Sequence, residues 1–114
     1  VKIGELSRHT GVSARLLRYY EEQGLLASVR TEGGHRHYGA DAPETVAHIR
    51  ALLDARVPTR TIRELLPCVE GEGPSGPRIN ACVSGLLRDH LEAMERQIAE
   101  LQQSRTALTG ILTA

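Results

Sequence analysis

The sequence predicts a mainly α-helical chain: a helix-turn-helix with a two-stranded wing, then one long C-terminal helix. Three observations carry this. Residues 3–24 read as helix, glycine turn, helix; Glu32-Gly33-Gly34 marks a hairpin turn; and apolar residues from Leu87 to Leu112 recur in alternating steps of four and three. Phe and Trp are absent and Tyr19, Tyr20 and Tyr38 are the only aromatics, so aliphatic side chains must fill the core.

The elements follow in order. In IGELSRHT, Ile3 and Leu6 share a helical face, and Gly11 supplies a stop with positive φ. Ser13 is placed to cap the second helix; position 16 is Leu, so there is no full capping box. Gly24 ends that helix. Two short segments around Glu-Gly-Gly, within residues 25–38, form the wing. Asp41 is expected to cap a third helix with Pro43 in its first turn and Val46, Ile49, Leu52 and Leu53 facing inward. Pro58 restarts the chain into a fourth helix that buries Ile62, Leu65 and Leu66. The stretch PCVEGEGPSGP holds three Gly and three Pro in eleven positions, which predicts a linker loop over residues 67–81. The domains expected are therefore a head over residues 1–66, that linker, and a helix over residues 82–114.

In the last helix Leu87, Leu91, Met94, Ile98, Leu101, Leu108 and Leu112 form a heptad seam with one polar interruption at Arg105. A helix from Cys82 to Leu112 is roughly 46 Å long at about 1.5 Å per residue. So long a stripe outruns the head, and a second copy of the chain is the expected partner.

Formal net charge is zero, but residues 1–40 carry six Lys/Arg against four Asp/Glu, while residues 67–114 carry four against six. The skew hints at an anionic partner for the head. Within SARLLRYYEEQGLL, Leu16, Leu17 and Tyr20 share one helix face; Arg15, Arg18, Tyr19 and Glu22 share the other. Adjacent tyrosines about 100° apart cannot do one job: Tyr20 packs and Tyr19 points outward. The plain alternative for the arginine face is a solvated surface with an Arg18–Glu22 pair. Arg15 in the first turn opposes the helix dipole by about 0.3–1 kcal/mol, and Arg preceding Glu is the poorer order for such a pair. Contact with phosphates or guanine edges explains the placement better, because a guanidinium offers a bidentate fork.

The run Arg18-Tyr19-Tyr20-Glu21 and the wing sequence GGHRHY, within residues 2–66, together resemble the winged helix-turn-helix of the MerR family of transcriptional regulators. The heptad helix is similar in kind and position to that family's antiparallel dimerisation helix. The resemblance implies a homodimer that binds a palindromic operator in promoter double-stranded DNA and acts by distorting it, with RNA polymerase as a further partner. Carried over by position, Ser13, Arg15, Arg18 and Tyr19 contact DNA from the recognition helix. Arg36 and Tyr38 contact the backbone from the wing, and Thr59 and Arg60 bring the fourth helix toward a phosphate. Arg56 departs from the pattern, standing where the family often has glycine.

His35 and His37 read as solvated or phosphate-facing rather than as metal ligands. Large effector domains of the family are not within these 114 residues. Cys68 and Cys82 are too few for a secreted disulfide framework. They stand as packing thiols, as a reversible redox pair, or as a two-thiolate metal site, Cys82 resembling the first metal-binding cysteine of the family's mercury and zinc sensors. No cofactor is expected. Two other functions fit the same residues: an effector-independent architectural DNA-binding protein, and a thiol- or metal-handling protein with incidental DNA affinity. No nucleophile–base set or paired carboxylates point to an enzyme. No apolar run reaches membrane-spanning length and no signal peptide stands out, so a cytoplasmic location is expected.

Overall fold

The computed structural model describes residues 1–73, 76–79 and 84–114. The chain divides into two compact units, Val1–Asn80 and Ala81–Ala114. The first holds α1 (Ile3–Thr10), α2 (Ala14–Glu22), β1 (Val29–Arg30), β2 (Arg36–His37), α3 (Ala42–Asp54) and α4 (Thr59–Leu65). A 3-10 turn (Leu66–Cys68), β3 (Val69–Gly73) and β4 (Gly76–Ile79) complete it. The second is α5 (Ser84–Thr113).

The α1–α2 turn is built from short polar side chains. Thr10 Oγ1 donates to the Leu6 carbonyl at 2.8 Å and Ser7 Oγ to the Val12 carbonyl at 2.6 Å. Gly11 takes φ 74° while its N–H donates to Ser7 O. This folds Val12 inward, where it is buried with Leu6 and Leu17. Ser13 caps α2 as expected, its Oγ accepting from Leu16 N–H at 3.1 Å.

At the other end of α2, Gly24 N–H donates to Glu21 O and Leu25 N–H to Tyr20 O, the two bonds of a Schellman motif. Gly24 has φ 75°, and Tyr20 and Leu25 are both buried beneath it. From α4, Arg63 Nε donates to the last free carbonyl, Gln23 O, at 2.7 Å. A Cβ at Gly24 would meet that same Nε at 3.2 Å. Gly24→Ala is therefore expected to lower stability by about 1–2 kcal/mol through the left-handed backbone alone, read as a lower urea midpoint with unchanged m.

The wing pairs β1 with β2 antiparallel, Val29 opposite His37 and Arg30 opposite Arg36. A turn closed by Gly34 N–H to Thr31 O connects them, Gly34 taking φ 76°. The chain start adds an edge: Lys2 bridges His37, and Tyr38 N–H donates to Val1 O at 2.7 Å. Beneath lie Leu25, Leu26, Tyr38, Val46, Ile49, Leu52, Val57, Ile62 and Leu65, all buried. The core is aliphatic with two tyrosines.

Several expectations change. Asp41 occupies the N-cap position of α3 with helical backbone angles and makes no side-chain cap; the carbonyl of Asp41 instead accepts from Thr45. Leu53 lies at the rim of α3, and His48 takes an inward position. Leu66 belongs to the 3-10 turn, half-buried, rather than to the buried face of α4. Within the stretch expected as a linker loop over residues 67–81, the described residues Val69–Gly73 and Gly76–Ile79 pair antiparallel as β3 and β4, and β4 lies against α3. Glycine and proline density hid an antiparallel strand pair, whose backbone ladder needs no apolar side-chain alternation. The compact unit that holds the head runs Val1–Asn80 and so includes β3 and β4. Arg56 has φ 61°, so the departure from glycine falls on a left-handed turn before α4, a conformation that costs a non-glycine residue about 1–3 kcal/mol.

The 30-residue α5 is about 45 Å long at about 1.5 Å per residue. It buries none of its residues fully. Leu87 and Met94 are half-buried, and Leu91, Ile98, Leu101, Leu108 and Leu112 are exposed, Leu101 by 70% and Leu112 by 78%. Among the described residues no helix is long and apolar enough to cross a membrane.

Candidate nucleic-acid interface

The outer face of α2 presents Arg15, Arg18 and Tyr19, all exposed, with Tyr19 47% accessible while Tyr20 is 2% accessible. The adjacent tyrosines thus divide as the helix geometry requires. Among the described residues neither Arg15 nor Arg18 makes an ion pair, so the Arg18–Glu22 alternative is not formed. Leu16, expected on the core side, is 39% exposed and lies on the flank of this face. Ser13 is exposed, and its hydroxyl proton remains available although its oxygen is engaged in the cap.

Between α2 and the wing lies an open groove of about 330 Å³ lined by Ile3, Arg18, Arg30, Gly34, His35 and Arg36. Three guanidinium groups line it. Arg30 and Arg36 are directly opposite across the hairpin, an arrangement of like charges that disfavours the strand pair. Arg30 Nη1 is held by the Gly34 carbonyl at 3.2 Å. Arg30 was not among the residues expected from sequence, yet the register implied by a turn at Glu32-Gly33-Gly34 already places it across from Arg36.

Arg36 is anchored from behind. Its Nε lies 3.4 Å from Glu21 Oε2, and Tyr38 Oη donates to Glu21 Oε1 at 3.1 Å. Tyr38, expected to contact the DNA backbone, is instead 3% exposed and forms part of the core. The correction has a plain cause: β2 is so short that the residue after His37 already turns under α2. Burial first, and then the bond to the Glu21 carboxylate, push the Tyr38 hydroxyl above its ordinary pKa, keeping it a proton donor. Tyr20 is also raised, chiefly by burial and secondarily by Asp54, with Arg50 opposing.

Thr59 is half-buried in the first turn of the seven-residue α4, and Arg60 is exposed. The fold joins α4 to α2 through Arg63, a residue that side-chain periodicity gave no reason to select. His35 is exposed and His37 half-buried; among the described residues no group of three His, Cys, Asp or Glu could hold a metal ion. Cys68 is a half-buried free thiol. Position 82 lies outside the described residues, so the relation of Cys82 to Cys68 does too.

The sequence profile described as MerR HTH family regulatory protein matches residues 1–67. Over 113 residues the chain is 38% identical to nodulation protein NolA of Bradyrhizobium sp. (strain NC92), covering 98% of this chain and 43% of that protein. It spans under half the length of such nodulation-protein relatives. It is 32% identical over 109 residues to heavy metal-dependent transcription regulator 2 of Rhizobium meliloti (strain 1021), covering 95% of this chain and 71% of that one. Among solved structures, HiNmlR, described as a MerR family regulator lacking the sensor domain and bound to promoter DNA, superposes with a TM-score of 0.58 at 22% identity, over 98% of this chain and 86% of that one. That likeness is one of fold.

Proposed function

The chain belongs to the MerR HTH family of transcriptional regulators, and from that premise we propose that it is a homodimer that binds a palindromic promoter operator in the cytoplasm and alters transcription by distorting the DNA. The observation that carries the reading is the convergence of Arg18 of α2 with Arg30 and Arg36 of the wing on one groove, with Arg15 exposed on α2 and, among the described residues, neither Arg15 nor Arg18 ion-paired. Like charges brought together at a protein's surface cost stability, and a phosphodiester backbone offsets that cost. In this arrangement α2 enters the major groove with Ser13, Arg15, Arg18 and Tyr19 facing it. Arg30 and Arg36 meet the flanking backbone, and Thr59 and Arg60 reach a further phosphate. RNA polymerase at the same promoter is the partner whose access such a distortion changes.

The dimer rests on α5, whose exposed seam at Leu91, Ile98, Leu101, Leu108 and Leu112 repeats on one helix face. A thiol or metal signal at Cys68 and Cys82 is a second layer of the proposal, supported by the name of the Rhizobium relative. Titrating free thiols and bound metal in protein purified without reductant tests that layer by itself.

The DNA-binding reading is tested by duplex affinity as a function of salt. Each phosphate neutralised contributes about −0.9 to the slope of log K against log salt, so a dimer using two such contacts per protomer loses roughly 10²-fold between about 50 and 200 mM. Affinity independent of salt overturns the reading.

A further inference from the structure

One carboxylate ties the recognition helix to the wing. Glu21 sits in the last turn of α2, where the helix dipole disfavours an anion and where no basic residue offsets it. A carboxylate on this side also repels an incoming phosphate backbone. Neither local stability nor charge attraction to DNA accounts for it. Both its oxygens are nevertheless used: Oε1 accepts from Tyr38 Oη at 3.1 Å and Oε2 lies 3.4 Å from Arg36 Nε. Tyr38 is buried, so this partner cannot move far, while Arg36 stays 30% exposed with its side chain lining the groove shared with Arg18 and Arg30.

We infer that Glu21 is a positioning residue for DNA binding: through Tyr38 it locks the wing against α2, and through Nε it orients Arg36 so that the rest of the guanidinium fork faces a phosphate. The inference rests on the DNA-binding reading above. It names a residue that touches no DNA yet sets the spacing between two DNA-contacting elements. A guanidinium held by a carboxylate at its inner edge loses less freedom on meeting a phosphate than a free one does.

The sign of one substitution separates positioning from simple charge. Deleting a carboxylate near a polyanion strengthens binding if only Coulomb's law acts. Positioning gives the opposite. The probes are the duplex that the wild-type chain enriches from a randomised pool, and an unselected duplex. Expected for Glu21→Ala is roughly tenfold weaker binding to the enriched duplex, and weaker binding to the unselected duplex too, because the phosphate that Arg36 meets is present in both. Glu21→Gln keeps an acceptor for Tyr38 but loses the charge that holds Arg36, so its affinity falls between wild type and E21A. It carries the comparison if E21A fails to fold, a point read from thermal unfolding of both. In an Arg36→Ala background the loss caused by E21A shrinks, because the group being positioned is already gone. Enriched-duplex binding by E21A and E21Q equal to or tighter than wild type overturns the assignment, as does full additivity with R36A. A wild-type chain that enriches no duplex overturns the DNA-binding reading itself, and the assignment with it.

Discussion

Arg18→Ala weakens binding to an enriched duplex by roughly 10–100-fold, while the chain folds and associates as before. The size is the minimum set by loss of one bidentate contact, worth about 1–3 kcal/mol, at about 1.4 kcal/mol per tenfold; a dimer loses the contact at both half-sites. The separation of binding from folding follows from position. Arg18 is exposed, lines the groove with Arg30 and Arg36, and among the described residues makes no ion pair that its removal would break. Removing one of three neighbouring cations can even relieve repulsion in the free protein. Electrophoretic mobility or fluorescence anisotropy reads the affinity, and urea unfolding reads the stability. If Arg18 reads a base, the variant also loses discrimination at one position of each half-site; if it meets only phosphate, all sequences weaken alike and the salt slope flattens by about one per contact. Binding at wild-type strength sinks the assignment of the outer α2 face.

Leu101→Glu is expected to dissociate the dimer without unfolding the head. Leu101 is 70% exposed within one chain and lies in the middle of the α5 seam. Burying a leucine contributes about 1.5–3 kcal/mol, and a two-fold interface counts the residue twice. Losing about 3–6 kcal/mol, before any repulsion between glutamates, raises the dimer dissociation constant by at least roughly 10²-fold. Sedimentation at micromolar concentration reads monomer for the variant, and duplex affinity falls with it because two half-sites are no longer linked. Among the described residues none of α5 is fully buried, so the head should keep its helices. A variant that sediments as wild type would show that the seam packs on something other than a second copy.

Much of the fold was legible because its signals are local. Gly11, Ser13 and Gly24 mark the ends of α1 and α2 through backbone angle and capping chemistry, which need no distant partner. The division of labour between Tyr19 and Tyr20 followed from the 100° step of a helix. The heptad seam needed nothing beyond counting. Other features were hidden for a definite reason. Asp41 has the right side chain for a cap, but its backbone enters the helix too early for the carboxylate to reach back. Val69–Gly73 and Gly76–Ile79 pair as strands in a stretch rich in glycine and proline, where side-chain alternation is silent. Tyr38 looked like a contact residue from its place in the wing and proved to be core.

The sequence by itself determined the order of the helices, the wing, the outward arginine face and the apolar stripe of α5, since each depends on spacing within one segment. Only the tertiary structure decided which of those residues work together. Glu21 meets Tyr38 across 17 positions and Arg63 meets Gln23 across 40. Such contacts are set by how the wing and α4 pack on α2, and no periodicity within a segment encodes a distance between segments.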